Sequence, residues 1–299
     1  FTTSTMQQEA NKRLGYRTRR TMSIAQQLYE GISLGKQGTV GLITYMRTDS
    51  KRTSPVAQAE ASKFLHENYG AEYAAKSQRH FKNQEDAQDA HEAIRPTSVY
   101  RTPESLKKVL TTEQYRLYKL IWSRFLASEM TAAVYDTVRA DIVQNGVIFR
   151  TTGSKLNFAG FTKVYDNQQE KNVELPDLNE GDKVKMEKSD NKQHFTLPPA
   201  RYTEASLVRA LEENGVGRPS TYAPTIDTIQ RRYYVKLEGR SIVPTELGEI
   251  VDSLIEEFFP DITDVDYTAT LENELDGVED GKKDWVKVID EYYHPFKKE

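Results

Sequence analysis

The sequence of 299 residues predicts a multidomain α+β fold: a helical domain over 1–131, a β-rich segment over 132–197 and a helical domain with a small hairpin over 198–299. Three observations lead there. Helix start signals, a Ser or Thr cap followed by Pro or by a capping box, crowd the first and last thirds. Alternating apolar residues and an Asn-Gly turn mark the middle. Pro198-Pro199 closes the β-rich stretch, and helical spacing resumes after it.

In the first domain, Thr3-Ser4-Thr5 precedes a polar helix carrying Met6, Ala10 and Leu14. Thr21–Gly31 sets Met22, Ala25, Leu28 and Tyr29 at helical spacing, with Gly31 as its stop. Leu42–Arg47 reads as a strand. Ser54-Pro55 opens a helix through about Asn68, and Thr102-Pro103 repeats that signal. Thr111-x-x-Gln114 is a capping box before an apolar helix with Leu117, Leu120, Ile121, Phe125 and Leu126.

In the middle, Val134, Val138, Ala140 and Ile142 share one face, and Asn145-Gly146 before Val147-Ile148-Phe149 signals a hairpin. Lys183–Glu187 and His194–Leu197 continue the β pattern across Asp190-Asn191. In the last third, Thr203 caps a helix through Asn214 and Thr221–Arg232 is another. Tyr234–Lys236 and Ser241–Pro244 form a small hairpin with its turn at Glu238-Gly239. Thr245–Phe259 turns Leu247, Ile250, Val251, Leu254 and Ile255 inward. Helix–helix–hairpin–helix is the order of a winged-helix arrangement.

Composition narrows the classes. Cysteine is absent, so there is neither a disulfide framework nor a thiolate metal site. No run of about 18 apolar residues implies a membrane span, and the first residues lack a signal-peptide core. The chain opens on Phe1, as expected of a piece of a longer protein. The formal net charge of −4 argues against a uniformly basic nucleic-acid binder. The charge is uneven, however: +7 over 1–131, zero over 132–239 and −11 over 240–299. The basic first part suits a phosphate-binding surface, against the alternative of an ordinary solvated one.

Gly41–Ser50 concentrates the chemistry. On an extended Leu42–Arg47, Ile43, Tyr45 and Arg47 point one way, setting a phenol beside a permanent cation. Tyr45 then suits attack on phosphorus while Arg47 holds the phosphate charge; a packed tyrosine and a solvated arginine at a strand end is the plain alternative. Only about a thousandth of a free tyrosine is phenolate at neutral pH, so a nucleophilic one needs proton removal or nearby positive charge. His91 and Arg95 are four apart, on one face if helical. Gly217-Arg218-Pro219-Ser220-Thr221 is a bend before a helix, suited to a phosphate or base contact through Arg218, Ser220 and Thr221, or simply a capped helix start. Tyr202, Tyr222, Tyr233 and Tyr234 suit base stacking or plain packing. His66, His80, His194 and His294 read as structural. No Gly-rich Lys-Ser/Thr phosphate loop is present.

Four segments resemble one family in its own order: Phe1–Ala10, Gly41–Ser50, Ala90–Pro96, and Thr203–Val208 with Gly215–Ala223. The family is the type IA DNA topoisomerases, and Met46 after the tyrosine is similar to its bacterial members. The resemblance implies transient single-strand cleavage by Tyr45 through a 5′-phosphotyrosine link, then strand passage and religation, relaxing negatively supercoiled DNA without ATP. It implies that Arg47 stabilises the phosphate, that His91 and Arg95 assist DNA binding and cleavage, and that Arg218, Ser220 and Thr221 line the groove for the single strand. It implies Mg²⁺ held in an N-terminal Toprim domain outside this chain. Asp264-x-Asp266 with Glu272 has the wrong spacing for that cluster, and Thr268–Asp276 reads as helix instead. The implied partners are single-stranded and negatively supercoiled DNA and the Toprim segment, against which the last domain packs, in a monomeric, cytoplasmic, nucleoid-associated protein. The β-rich segment corresponds to an arch. For this chain alone, a DNA-binding piece without cleavage activity is the alternative.

Overall fold

The computed structural model describes residues 1–77, 79, 81, 91–166 and 175–297. Its first part is helical. Helix α1 (Thr3–Glu9) begins at the first threonines rather than after them, because Thr2 caps it in a capping box with Thr5. A π-helical turn, Ala10–Leu14, leads to α2 (Thr18–Glu30), which ends at Gly31. Two short strands follow, β1 (Ile32–Ser33) paired with β2 (Thr39–Val40). Helix α3 (Pro55–Asn68) and α5 (Thr112–Ser128) begin at the predicted Ser54 and Thr111 caps. The Thr102-Pro103 signal yields only a single turn, α4 (Pro103–Leu106). The apolar stripes of α2, α3 and α5 meet in one core that buries Leu28, Leu65, Leu117, Ile121 and Leu126.

Strands β3 (Val134–Gln144) and β4 (Val147–Phe158) pair antiparallel from Gln144↔Val147 to Asp136↔Lys155. Asn145 and Gly146 have φ of 49° and 79°, the mirror-image turn that suits a two-residue hairpin. The hairpin stands alone, so Val134 and Val138 on its apolar face remain about half exposed. The strands predicted at Lys183–Glu187 and His194–Leu197 are not formed. Residues 175–202 are irregular, and Val184, Met186, Phe195 and Leu197 are exposed. A β pattern without a partner strand leaves its backbone groups unpaired and gains nothing over solvated coil.

Helix α6 (Glu204–Glu213) is capped by Thr203, and α7 (Tyr222–Arg231) follows. Strands β5 (Val235–Glu238) and β6 (Ser241–Pro244) form the small hairpin; its turn is Gly239-Arg240, one residue later than read. Helix α8 (Glu246–Phe258), the single turn α9 (Pro260–Thr263), α10 (Val265–Glu279) and α11 (Trp285–Phe296) complete the chain. Helix α6 packs on α1 and α7 on α2, so the last segment closes over the first. The inward face expected for α8 is not inward: Leu247, Ile250, Leu254 and Ile255 stay about half exposed, and no described element closes over them.

Candidate active site and nucleic-acid interface

Gly41 lets the tyrosine segment approach α2. A side chain there would come within 2.7 Å of the Tyr29 carbonyl oxygen. Leu42 N–H donates to the Leu28 carbonyl at 2.7 Å. On the other side, Thr44 N–H donates to the Arg95 carbonyl at 3.0 Å and Thr97 N–H to the Leu42 carbonyl at 2.9 Å. The Thr44 hydroxyl donates to the Ala93 carbonyl and accepts from Arg95 N–H.

The strand predicted over Leu42–Arg47 reduces to one bridge, Ile43↔Pro96, and the chain bends at Met46-Arg47. The cause is α1. The Thr3 hydroxyl donates to the Met46 carbonyl at 2.7 Å and accepts from Thr48 N–H at 2.9 Å, drawing Met46 into the core. Tyr45 and Arg47 are therefore positioned separately. Tyr45 is half-buried between two rings: Tyr29 edge-on at 5.3 Å and His91 stacked at 5.2 Å and 29°. Arg47 is exposed and makes no hydrogen bond or ion pair among the described residues. It lines a cavity of about 330 Å³ between α2 and α7 with Arg19, Arg231, Asp227 and Ser220.

The helix that would put His91 and Arg95 on one face is also absent. Ala93, Ile94 and Arg95 send their N–H groups to the Arg52 carbonyl, the Phe1 carbonyl and the Thr44 hydroxyl, not down a helix. His91 reaches Tyr45, whereas Arg95 turns into a local network. Its Nε donates to Glu92 Oε2 at 2.8 Å, its Nη1 to the Pro96 carbonyl and its Nη2 to the Ser54 hydroxyl. Glu92 also accepts from Ser54 N–H. Burial opposes the Glu92 charge, but the hydrogen bond and charge of Arg95 outweigh it and hold the carboxyl below the ordinary range.

The Gly217–Thr221 bend is closed by its own threonine, whose hydroxyl accepts from Arg218 N–H at 2.8 Å and does not cap α7. All five donors of the Arg218 guanidinium are engaged within the protein, by Asp276, Asn273 and the carbonyls of Gly215 and Gly217. Arg218 thus clasps the α6–α7 turn to α10. Ser220, exposed at the cavity, lines it with Pro219 and Arg47.

The chain matches the family model described as DNA topoisomerase over residues 1–290. It belongs to the bacterial type IA DNA topoisomerases. Its fold is similar to that of full-length topoisomerase I from Thermotoga maritima, with a TM-score of 0.87 and 40% identity, over 100% of this chain and 49% of that one. The chain thus spans about half the length of that relative.

The other residues singled out in the sequence lie in varied surroundings. Tyr222 is buried, and burial pushes its phenol well above the ordinary value. Tyr202 and Tyr233 are exposed. His66 contacts the Ser62 carbonyl at 2.7 Å and His294 pairs with Asp290. His194 is exposed, and His80 lies outside the described residues. Asp264 caps α10 by accepting from Asp266 N–H, while Glu272 lies 3.8 Å from Arg218. These acids are separated by their tasks, and among the described residues no group of three His, Asp or Glu is placed to hold a metal. No described helix is long and apolar enough to cross a membrane.

Three residues that local sequence does not single out shape the site and its support. Tyr29 was visible only as a helical apolar position. Arg19 was one cation among many. Glu204 is buried and accepts from Thr18 N–H at 2.7 Å, the Thr18 hydroxyl at 3.0 Å and Gln230 Nε2 at 3.2 Å. It caps α2, whose own N-cap residue Arg17 contributes no side-chain bond. An acid in the first turn of α6 was legible; its target 186 residues earlier was not.

Proposed function

We propose that Tyr45 is the nucleophile of a single-strand DNA cleavage and religation reaction that relaxes negatively supercoiled DNA. The observation that carries this is the seat of Tyr45: a ring held between Tyr29 and His91, two residues before an arginine with no partner among the described residues. Two aromatic contacts of this kind are worth about 0.5–1.5 kcal/mol each, enough to hold one ring orientation. The phenol oxygen attacks a backbone phosphorus, the bond to the 3′ oxygen breaks, and the released hydroxyl gains the proton that the phenol gives up. The 5′-phosphotyrosine diester retains about the energy of the bond it replaces, so the hydroxyl reverses the step without ATP. Arg47 supplies charge to the phosphate oxygens. His91 sets the tyrosine ring, and Arg95 with Glu92 holds the segment that carries His91. Ser220 and Thr221 border the path of the strand, with Arg218 keeping their loop in place.

Mg²⁺ would add charge at the phosphate, and the acids described here do not form its site; we assign it to the part of the protein beyond this chain. The exposed faces of α8 and α11 suit packing against that same part. The test is incubation of the intact protein with single-stranded DNA and Mg²⁺, followed by denaturation. A covalent adduct is expected, absent in Tyr45→Phe and reduced about 10²–10³-fold in Arg47→Ala. Residues 1–299 alone are expected to give none. Adduct persisting in Tyr45→Phe would remove Tyr45 from the reaction.

A further inference from the structure

Asp227 occupies the cavity between α2 and α7 as a phosphate would. It accepts from Arg19 Nη1 at 2.6 Å and lies 3.8 Å from Arg231 Nη1. Arg47 faces the same space without a partner among the described residues, beside the exposed hydroxyl of Ser220. Three guanidiniums around one carboxylate leave a surplus of positive charge in a space of about 330 Å³. Among the described residues no other charged side chain lines it. Arg19 and Arg231 are both largely exposed, so their attraction to Asp227 is screened and readily exchanged for a stronger acceptor. A phosphodiester offers the same charge with a geometry that suits the planar donor fork of arginine.

We propose that this cavity is a phosphodiester subsite for the single strand, in which a backbone phosphate replaces Asp227 as the partner of Arg19 and Arg231. Arg47 lies at its edge, so the subsite adjoins the phosphate that Tyr45 attacks. Asp227 is then a built-in competitor: it keeps the arginines in place when no strand is bound and promotes release of the strand. The location rests on the reading of Tyr45, but binding is measured without cleavage, so the two stand or fall separately.

The test is the affinity of intact Tyr45→Phe protein for a single-stranded oligonucleotide, by fluorescence anisotropy across a salt series. Arg19→Ala and Arg231→Ala are expected to weaken binding and to flatten the slope of log affinity against log salt, by up to about 0.7 for one lost phosphate contact. Asp227→Asn is expected to bind about two- to fivefold tighter at low salt. Arg19→Ala should cost more affinity in the Asp227→Asn background than in its presence. A plain clasp between α2 and α7 requires the reverse: Asp227→Asn binds no better or worse, and Arg19→Ala does nothing further once Asp227 is gone. Either result overturns the subsite. Asp227→Ser, with its thermal melt checked against the parent, provides the same sign test should the asparagine variant fold poorly.

Discussion

Residues 1–131 and 245–297 carry the same kind of helical pattern and end in opposite surroundings. In the first region the stripes of α2, α3 and α5 converge, and Leu28, Leu65, Leu117 and Leu126 are shut away from solvent. In the second, Leu247, Ile250 and Leu254 on α8 remain 48%, 53% and 48% exposed, and neither α8 nor α10 buries a residue. Periodicity states which face of a helix is apolar. It does not state what covers that face, and here the cover differs between the two ends of one chain.

Substitutions turn that contrast into numbers. Leu126→Ala is expected to cost about 2–5 kcal/mol by denaturant unfolding, the cost of a cavity in a closed core. Leu254→Ala should change stability by no more than about 0.5 kcal/mol in this chain, because its side chain is already about half in solvent and leaves no closed cavity. Similar costs for the two would erase the distinction. Between these lies the join of first and last regions. Glu204→Ala strands the Thr18 N–H and is expected to cost about 1–3 kcal/mol, with faster hydrogen exchange at the start of α2. Exchange unchanged at α2 would show that the two regions hold together without this bond.

The smallest effect concerns Glu92. Its carboxyl is held low in the folded state, so its contribution is present above the unfolded value near pH 4.3 and fades as pH falls through the lower folded value. Glu92 and Arg95 are partly solvated, so the contribution is about 1 kcal/mol or less. The melting temperature of the parent should fall more steeply than that of Glu92→Gln between about pH 5 and 3. Parallel curves would mean that Arg95 does not stabilise the charge.

Local chemistry was the legible part. Caps at Ser54, Thr111 and Thr203 start helices where the sequence places them, and Asn145-Gly146 makes its turn, because each depends on residues within a few positions. Membership of the family was also legible, since four motifs stand in order. The geometry of the site was not. Leu42–Arg47 looks extended in isolation, but Thr3 reaches Met46 and bends it. His91 and Arg95 have helical spacing, yet their segment spends its N–H groups on Phe1, Thr44 and Arg52. Arg218 reads as a phosphate or base contact or as part of a capped helix start, and neither reading shows that Asp276, 58 residues later, is folded against it. Each miss is a long-range bond overriding a local preference.

The central claim is that the ring held between Tyr29 and His91 is the one that joins DNA. The most direct measurement is to trap the adduct of the intact protein with single-stranded DNA, trim the DNA with nuclease, digest with protease and locate the phosphate by mass spectrometry. A 5′-linked nucleotide is expected on the peptide containing Tyr45 and on no other. A nucleotide on any other residue, or on the same peptide after Tyr45→Phe, would contradict it.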